Sequence, residues 1–146
     1  MKLSTKGRYG ARAALELTIR YGSGPVMVRE IAESQEISER YLEHILSSLR
    51  ASGLVRSTRG ARGGYELAKP PSDITLGDVV RSLEGPLDIV SCTSDQDCRR
   101  AVGCVTMEVW RDVREAIGGV LDAVTLENLA ARHRRIRLRS APDYAI

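Results

Sequence analysis

Phenylalanine is absent from this 146-residue chain, and tryptophan occurs once, so five tyrosines and Trp110 are its whole aromatic content. Proteins that read single-stranded RNA or DNA stack bases on several exposed aromatics, and this composition disfavours them. No apolar run reaches the roughly 18 residues that a transmembrane helix needs. The opening segment, MKLSTKGRYGARAALEL, has basic residues but no long apolar stretch before a small-residue cleavage site. It reads as a mature cytoplasmic start rather than a secretory signal. Cysteine is scarce and odd in number, three in all, which argues against a secreted disulfide framework. No phosphate-binding glycine loop precedes a helix, and no Ser/His/Asp set can be placed, so an enzyme is not expected.

Charge is present but unevenly spread. Residues 1–70 carry 12 Lys/Arg against 7 Asp/Glu, residues 71–131 carry 5 against 11, and residues 132–146 carry 5 against 1. The net charges are therefore +5, −6 and +4, which sum to the overall +3. A basic first half joined to an acidic second half implies separate jobs, the basic half being a candidate polyanion surface.

Apolar spacing predicts mostly helices. LSTKGRYGARAALELTIRYGSG is a helix capped by Ser4 or Thr5, with Tyr9, Ala13, Leu17 and Tyr21 on one face. VREIAES is a short helix with Val28, Ile31 and Ala32 inward, and QEIS breaks the chain. Ser38 then caps ERYLEHILSSLRAS, whose apolar stripe is Tyr41, Leu42, Ile45, Leu46 and Leu49, and Gly53 ends it. LVRST and YELA are strand-like and flank RGARGG, a basic hairpin tip. ITLGDVVRSLEG is a helix with a Thr75/Asp78 capping box, closed by Pro86. A long helix runs from about 104 to 122, with Trp110, Val113, Ile117, Val120 and Val124 as a narrow seam of the helix–helix kind. TLENLA adds a last short helix, and the arginine-rich tail shows no clear period.

Short helix, tight turn, capped helix and basic hairpin together make a winged helix–turn–helix. The second helix suits the major groove of duplex DNA, with Ser38, Arg40, Tyr41, Glu43 and His44 at its leading end. The glycines of the hairpin tip, Gly60 among them, let the backbone approach closely and present Arg59 and Arg62 to a narrow minor groove or to phosphates. An ordinary helical hairpin with solvated charges is the plainer alternative, and the basic wing at the expected distance weighs against it. His44 is equally readable as a solvated surface residue, and His133 among its arginines reads as solvated.

SCTSDQDCRRAVGC, residues 91–104, holds all three cysteines, Cys92, Cys98 and Cys104, with five residues in each gap. Three thiols stand one short of a tetrahedral site. Thiolates suit iron–sulfur clusters, where another group can replace one cysteine. Zinc wants four N/S ligands and no histidine lies nearby. Reversible thiol oxidation and three unligated thiols complete the alternatives. Cys104 would sit in the first turn of the long helix, where the dipole favours a thiolate.

MKLSTKGRYGARAALEL, ISERYLEHILSSLRASGLVRSTRGARGGYELAKP and ITLGDVVRSLEGP resemble the bacterial winged-helix regulators of the IscR, NsrR and CymR superfamily. VWRDVREAIGGVLDAVTLENLA is similar to the same family's dimerisation helix and the short helix after it. The resemblance covers residues 1–131 and implies a homodimer on a palindromic DNA operator, with no membrane. It implies a Glu of the recognition helix at Glu43 and a minor-groove arginine at Arg59. In IscR-like members three loop cysteines ligate an iron–sulfur cluster, and Cys92, Cys98 and Cys104 match that pattern. The expected cofactor is therefore 2Fe–2S, with 4Fe–4S as the alternative. Met107 stands where IscR-like members have a histidine, and Arg8, which cannot ligate, stands where the nitric-oxide sensors take a carboxylate. The fourth ligand is left among Glu108, Asp95, Asp97, a small-molecule thiol or water, and a residue of the other subunit. The CymR resemblance allows a cluster-free regulator controlled by a protein partner or by thiol oxidation. A small iron–sulfur carrier is the alternative of a different class.

The expected fold is mainly α with a small β-hairpin wing, a winged helix–turn–helix plus a long dimerisation helix. Its parts are a DNA-binding domain over 1–86, a cysteine sensor loop over 87–104, the dimerisation helix and short following helix over 105–131, and a basic disordered tail over 132–146.

Overall fold

The computed structural model describes residues 2–93, 98 and 102–140. Among these, six α-helices and one two-stranded sheet follow in the order α1 (Thr5–Ile19), α2 (Val28–Gln35), α3 (Glu39–Ala51), β1 (Val55–Thr58), β2 (Gly64–Leu67), α4 (Leu76–Glu84), α5 (Val105–Asp122) and α6 (Leu126–Ser140). Short 3-10 turns occupy Pro71–Asp73 and Ser91–Thr93. The mainly helical class and the winged helix–turn–helix are as expected.

Helix starts are set by side chains that satisfy open backbone N–H groups. The Ser4 hydroxyl accepts from Gly7 N–H, and Ser38 accepts from Tyr41 N–H at 3.3 Å. At α4, Thr75 accepts from Asp78 N–H at 3.0 Å while the Asp78 carboxylate accepts from Thr75 N–H at 2.9 Å. Thr125 and Asn128 repeat this reciprocal arrangement at α6.

The core lies between α1, α3 and α4. Leu17, Ile31, Leu42, Ile45, Leu46, Leu49 and Ile74 are fully buried in it. Each such side chain contributes about 1.5–3 kcal/mol by leaving water. Gly10 lets α4 close on α1, because a Cβ there would strike the Leu83 side chain. Leu126 and Ala130 fold α6 back onto the same core, and the bridge between Thr75 and Thr125 joins its start to that of α4.

β1 and β2 pair antiparallel, Val55 opposite Leu67 and Thr58 opposite Gly64. Val26 adds an isolated bridge on Tyr65, exchanging N–H···O bonds of 2.8 Å in both directions. Gly64, at φ +155°, permits this approach, since a Cβ would meet the Val26 carbonyl.

Three expectations need correction. The tail is helical as far as Ser140, so the short helix after the dimerisation helix is a 15-residue element. Buried Leu126 and Ala130 anchor it, and arginine is a good helix former even without an apolar period. Residues 141–146 of the expected tail lie outside the described residues. Val124 is not on the α5 seam: it lies past the Ala123 cap, and its carbonyl accepts from Leu76 N–H at 2.8 Å. Tyr21 follows the end of α1 and is 48% exposed, so it does not extend that helix's inner face.

Candidate nucleic-acid interface and cysteine loop

The α2–turn–α3 unit is held by a charged network reaching out from α1. The Glu16 carboxylate is buried and accepts from Ser34 Oγ, Gln35 Nε2 and Arg20 Nε, each at 2.9 Å. Arg20 also reaches Glu30 at 3.0 Å, whose other oxygen accepts from Met27 N–H. Arg12 donates to the Gln35 side chain and backbone. Burial pushes the Glu16 carboxyl up, but the hydrogen bonds from Ser34, Gln35 and Arg20, with the Arg20 charge, outweigh it and hold it below the ordinary carboxylate range. Between the helices, Glu36 takes the left-handed conformation (φ 53°, ψ 46°) and turns the chain toward α3.

The leading end of α3 presents Ser38, Arg40, Glu43 and His44 to solvent, in line with a groove-facing surface. Tyr41 differs. It is half-buried and packs edge-on against Tyr9, with ring centroids 6.0 Å apart at 78°. It therefore belongs at least as much to the α1–α3 contact as to the exposed face. Arg59, Gly60 and Arg62 are exposed at the wing tip, with Gly60 at φ +113°. Arg50, at the end of α3, donates to Ser57 of β1 at 3.1 Å, and Arg56 pairs with Glu66 across the strands at 2.9 Å. Helix and wing are thus fixed to one another, and their free arginines point outward.

The cysteine loop is held at both ends. Arg114 of α5 donates to Asp88 at 3.2 Å and to the Thr93 carbonyl at 3.3 Å. Thr93 Oγ1 closes the triangle on Asp88 at 3.0 Å. Cys92, beside Thr93 in its 3-10 turn, is therefore tied to the middle of α5. Cys104 is the N-cap residue of α5, its sulfur 3.3 Å from Thr106 Oγ1. All three cysteines are half-buried and none is in a disulfide. Among the described residues no three Cys, His, Asp or Glu side chains are gathered as metal ligands. The candidate ligands Asp95 and Asp97 lie outside the described residues. Glu108 is exposed in the first turn of α5, Met107 is half-buried, and exposed Arg8 donates to Thr5 Oγ1 on α1. Three soft thiols on a segment with fixed ends fit an iron–sulfur cluster by donor chemistry.

α5 itself is barely covered, with no buried residue along it. Val113, Ala116, Ile117, Val120 and Leu121 line an apolar trough of about 370 Å³, and Val109, Trp110 and Val120 are exposed at 50%, 37% and 68%. At its far end Asp122 binds Arg81 of α4 at 2.5 Å. That hydrogen bond, only partly offset by burial, raises Arg81 above its ordinary value, and the charges of Asp122 and Asp78 add to it. No described helix is long and apolar enough to cross a membrane.

Sequence reasoning missed the ties that carry these elements. Glu16 and Arg20 stand at i and i+4, a readable pair, whereas Arg114–Asp88 and Arg81–Asp122 join distant segments and leave no local signal.

A capped recognition helix braced to a basic wing defines a winged helix–turn–helix regulator that binds DNA. Comparison with known proteins makes this specific. The model of the Rrf2 family, iron-dependent transcriptional regulators, matches residues 3–132, and the chain belongs to that family. It is 45% identical over 131 residues to the HTH-type transcriptional regulator CymR of Bacillus subtilis, covering 90% of this chain and 91% of that one. It is 40% identical over 129 residues to the HTH-type transcriptional regulator IscR of Serratia proteamaculans, covering 88% and 79%. Its fold matches the structure of CymR, described as the global cysteine regulator of B. subtilis, with a TM-score of 0.76 over 90% of this chain and 98% of that chain. It matches T. potens IscR with a TM-score of 0.73 at 40% identity, over 100% and 92%. These relatives are named as transcriptional regulators, not as enzymes.

Proposed function

We propose that this regulator acts as a homodimer on a palindromic operator and reports iron–sulfur or redox status through Cys92, Cys98 and Cys104. The observation that carries this reading is the placement of all three thiols between the DNA-binding unit and α5, with Cys92 tied to α5 through Arg114 and Cys104 at its N-cap. The exposed apolar trough of α5 supplies the surface for a second copy, which would set two recognition helices on one duplex. Ser38, Arg40, Glu43 and His44 face the major groove, with Tyr41 at its edge. Arg59 and Arg62, on the Gly60 turn, reach phosphates or the minor groove.

The three cysteines would hold the cluster, 2Fe–2S by the IscR-like match and 4Fe–4S as the alternative. A bound cluster supplies a centre whose gain or loss changes the charge and cross-linking of the loop. Asp88 and Arg114 carry a change at Cys92 into α5, and Arg81–Asp122 carries a change in α5 into α4 and the DNA-binding unit. With Met107 in place of a histidine, the fourth position falls to a weaker or external ligand, which makes the cluster labile. Anaerobic reconstitution with iron and sulfide, followed by visible absorption and Mössbauer spectra, tests this: bound iron lost on Cys98→Ser supports it, and no bound iron defeats it.

A second reading is favoured by the similarity to CymR, described as a global cysteine regulator. In it the same thiols respond to oxidation or to a partner protein without a cluster. Reversible thiol oxidation that alters DNA affinity in iron-free protein supports that reading.

A further inference from the structure

The family match ends at residue 132, and α6 continues to Ser140. Residues 132–140 hold five arginines and His133, with no acidic residue. All five arginines are exposed, and none is in an ion pair among the described residues. Elsewhere Arg20, Arg56, Arg81 and Arg114 each have a carboxylate partner. The positive charge of this half of α6 is thus offset by no ion pair among the described residues.

The arginines form two rows. Arg132, Arg135 and Arg139 line one side with Ile136 and span about 10 Å of helix axis. Arg134 and Arg137 line the other beside Ile19, the last residue of α1. From Ile19 the chain leads to Val26, which pairs with Tyr65 of the wing. Arg134 also lies beside Tyr21 and Pro71, so α6 runs next to the segment that leaves the wing after β2.

We propose that the arginine-rich half of α6 is a second, sequence-independent DNA contact that binds backbone phosphates of duplex flanking the segment under α3 and the wing. The proposal rests on the reading that α3 and the wing face the duplex. Charge complementarity selects this occupant, because duplex DNA carries one negative charge per roughly 1.7 Å of axis, dense enough to engage the arginines of one row. A lipid surface fits less well. Ile136 and Leu138 are two residues apart, so they project to opposite sides of the helix and form no apolar face.

The test replaces Arg132, Arg134, Arg135, Arg137 and Arg139 together with Gln, which keeps helix propensity. Circular dichroism and thermal unfolding confirm that the variant is folded. Binding to a short and a long mixed-sequence duplex is then measured between about 50 and 200 mM salt. For the long duplex, the log–log salt slope should flatten by about 2–3, at roughly 0.9 for each phosphate no longer neutralised. The short duplex should change little. Arg59→Ala should flatten the slope by about 1 on both duplexes. An unchanged slope for the five-fold variant overturns the proposal. So does a variant whose only defect is in self-association or in binding phosphatidylserine vesicles. Failure of the wild-type protein to bind either duplex overturns the underlying orientation instead.

Discussion

At the residue scale, the position of the helix–turn–helix depends on one buried carboxylate. Glu16 gathers Ser34, Gln35 and Arg20, so Glu16→Gln should cost about 1–3 kcal/mol, the worth of charge-assisted hydrogen bonds. Its lowered pKa fixes the sign of a pH effect. The folded carboxyl binds its proton less readily than the unfolded one. Its contribution is therefore complete above the ordinary carboxylate range and is lost as pH falls through and below that range. Thermal unfolding against pH should show the wild type losing stability in acid more steeply than Glu16→Gln; parallel curves would refute the role. At the wing, Arg59→Ala should weaken binding to operator DNA by about 1–3 kcal/mol if Arg59 reads a groove. An unchanged affinity would remove the wing from the interface. The exposed residues at the start of α3 were legible because Ser38 announces a cap and the apolar stripe behind it is regular. Tyr41 was ambiguous because it stands at the edge of that stripe, and its contact with Tyr9 comes from a helix more than thirty residues away.

At the element scale, the wing and α5 make opposite demands. The wing needs close backbone contact, and Gly64→Ala would drive a Cβ into the Val26 carbonyl. That variant should lose about 1–3 kcal/mol of stability through forced repacking, with weaker DNA binding in proportion; denaturant titration checks it. α5 needs a partner. Val120→Glu puts a charge on the exposed trough and should turn a dimer into a monomer in analytical ultracentrifugation while the chain stays folded. A dimer that persists would place the interface elsewhere. Periodicity identified α5 because its apolar residues recur every three to four positions. It overshot at Val124, because the same spacing continues past the point where Ala123 caps the helix and the chain turns to meet Leu76. It missed the length of α6 for the converse reason: arginine supplies propensity without period, and only Leu126 and Ala130 anchor the helix.

At the scale of the whole molecule, the division of charge seen in the sequence corresponds to a division of labour. The basic first half forms the winged helix–turn–helix, and the acidic part supplies the cysteine loop and α5. Arg114 to Asp88 ties the cysteine loop to α5, and Arg81 to Asp122 ties α5 to α4, and neither pair could be read from spacing alone. The cysteine pattern is legible as three candidate ligands, and no fourth can be read beside them, because a ligand from a partner subunit or from solution would leave no mark in one chain. The most direct measurement is DNA affinity in two states of the same preparation, anaerobically reconstituted with iron and sulfide and then stripped of iron, beside the Cys98→Ser variant. The expected result is about two irons per chain in the wild type and an operator affinity that differs at least about tenfold, or 1.4 kcal/mol, between the two states, with Cys98→Ser fixed at the stripped value. Equal affinity in both states, or no bound iron, would contradict a cluster-based sensor on these three cysteines.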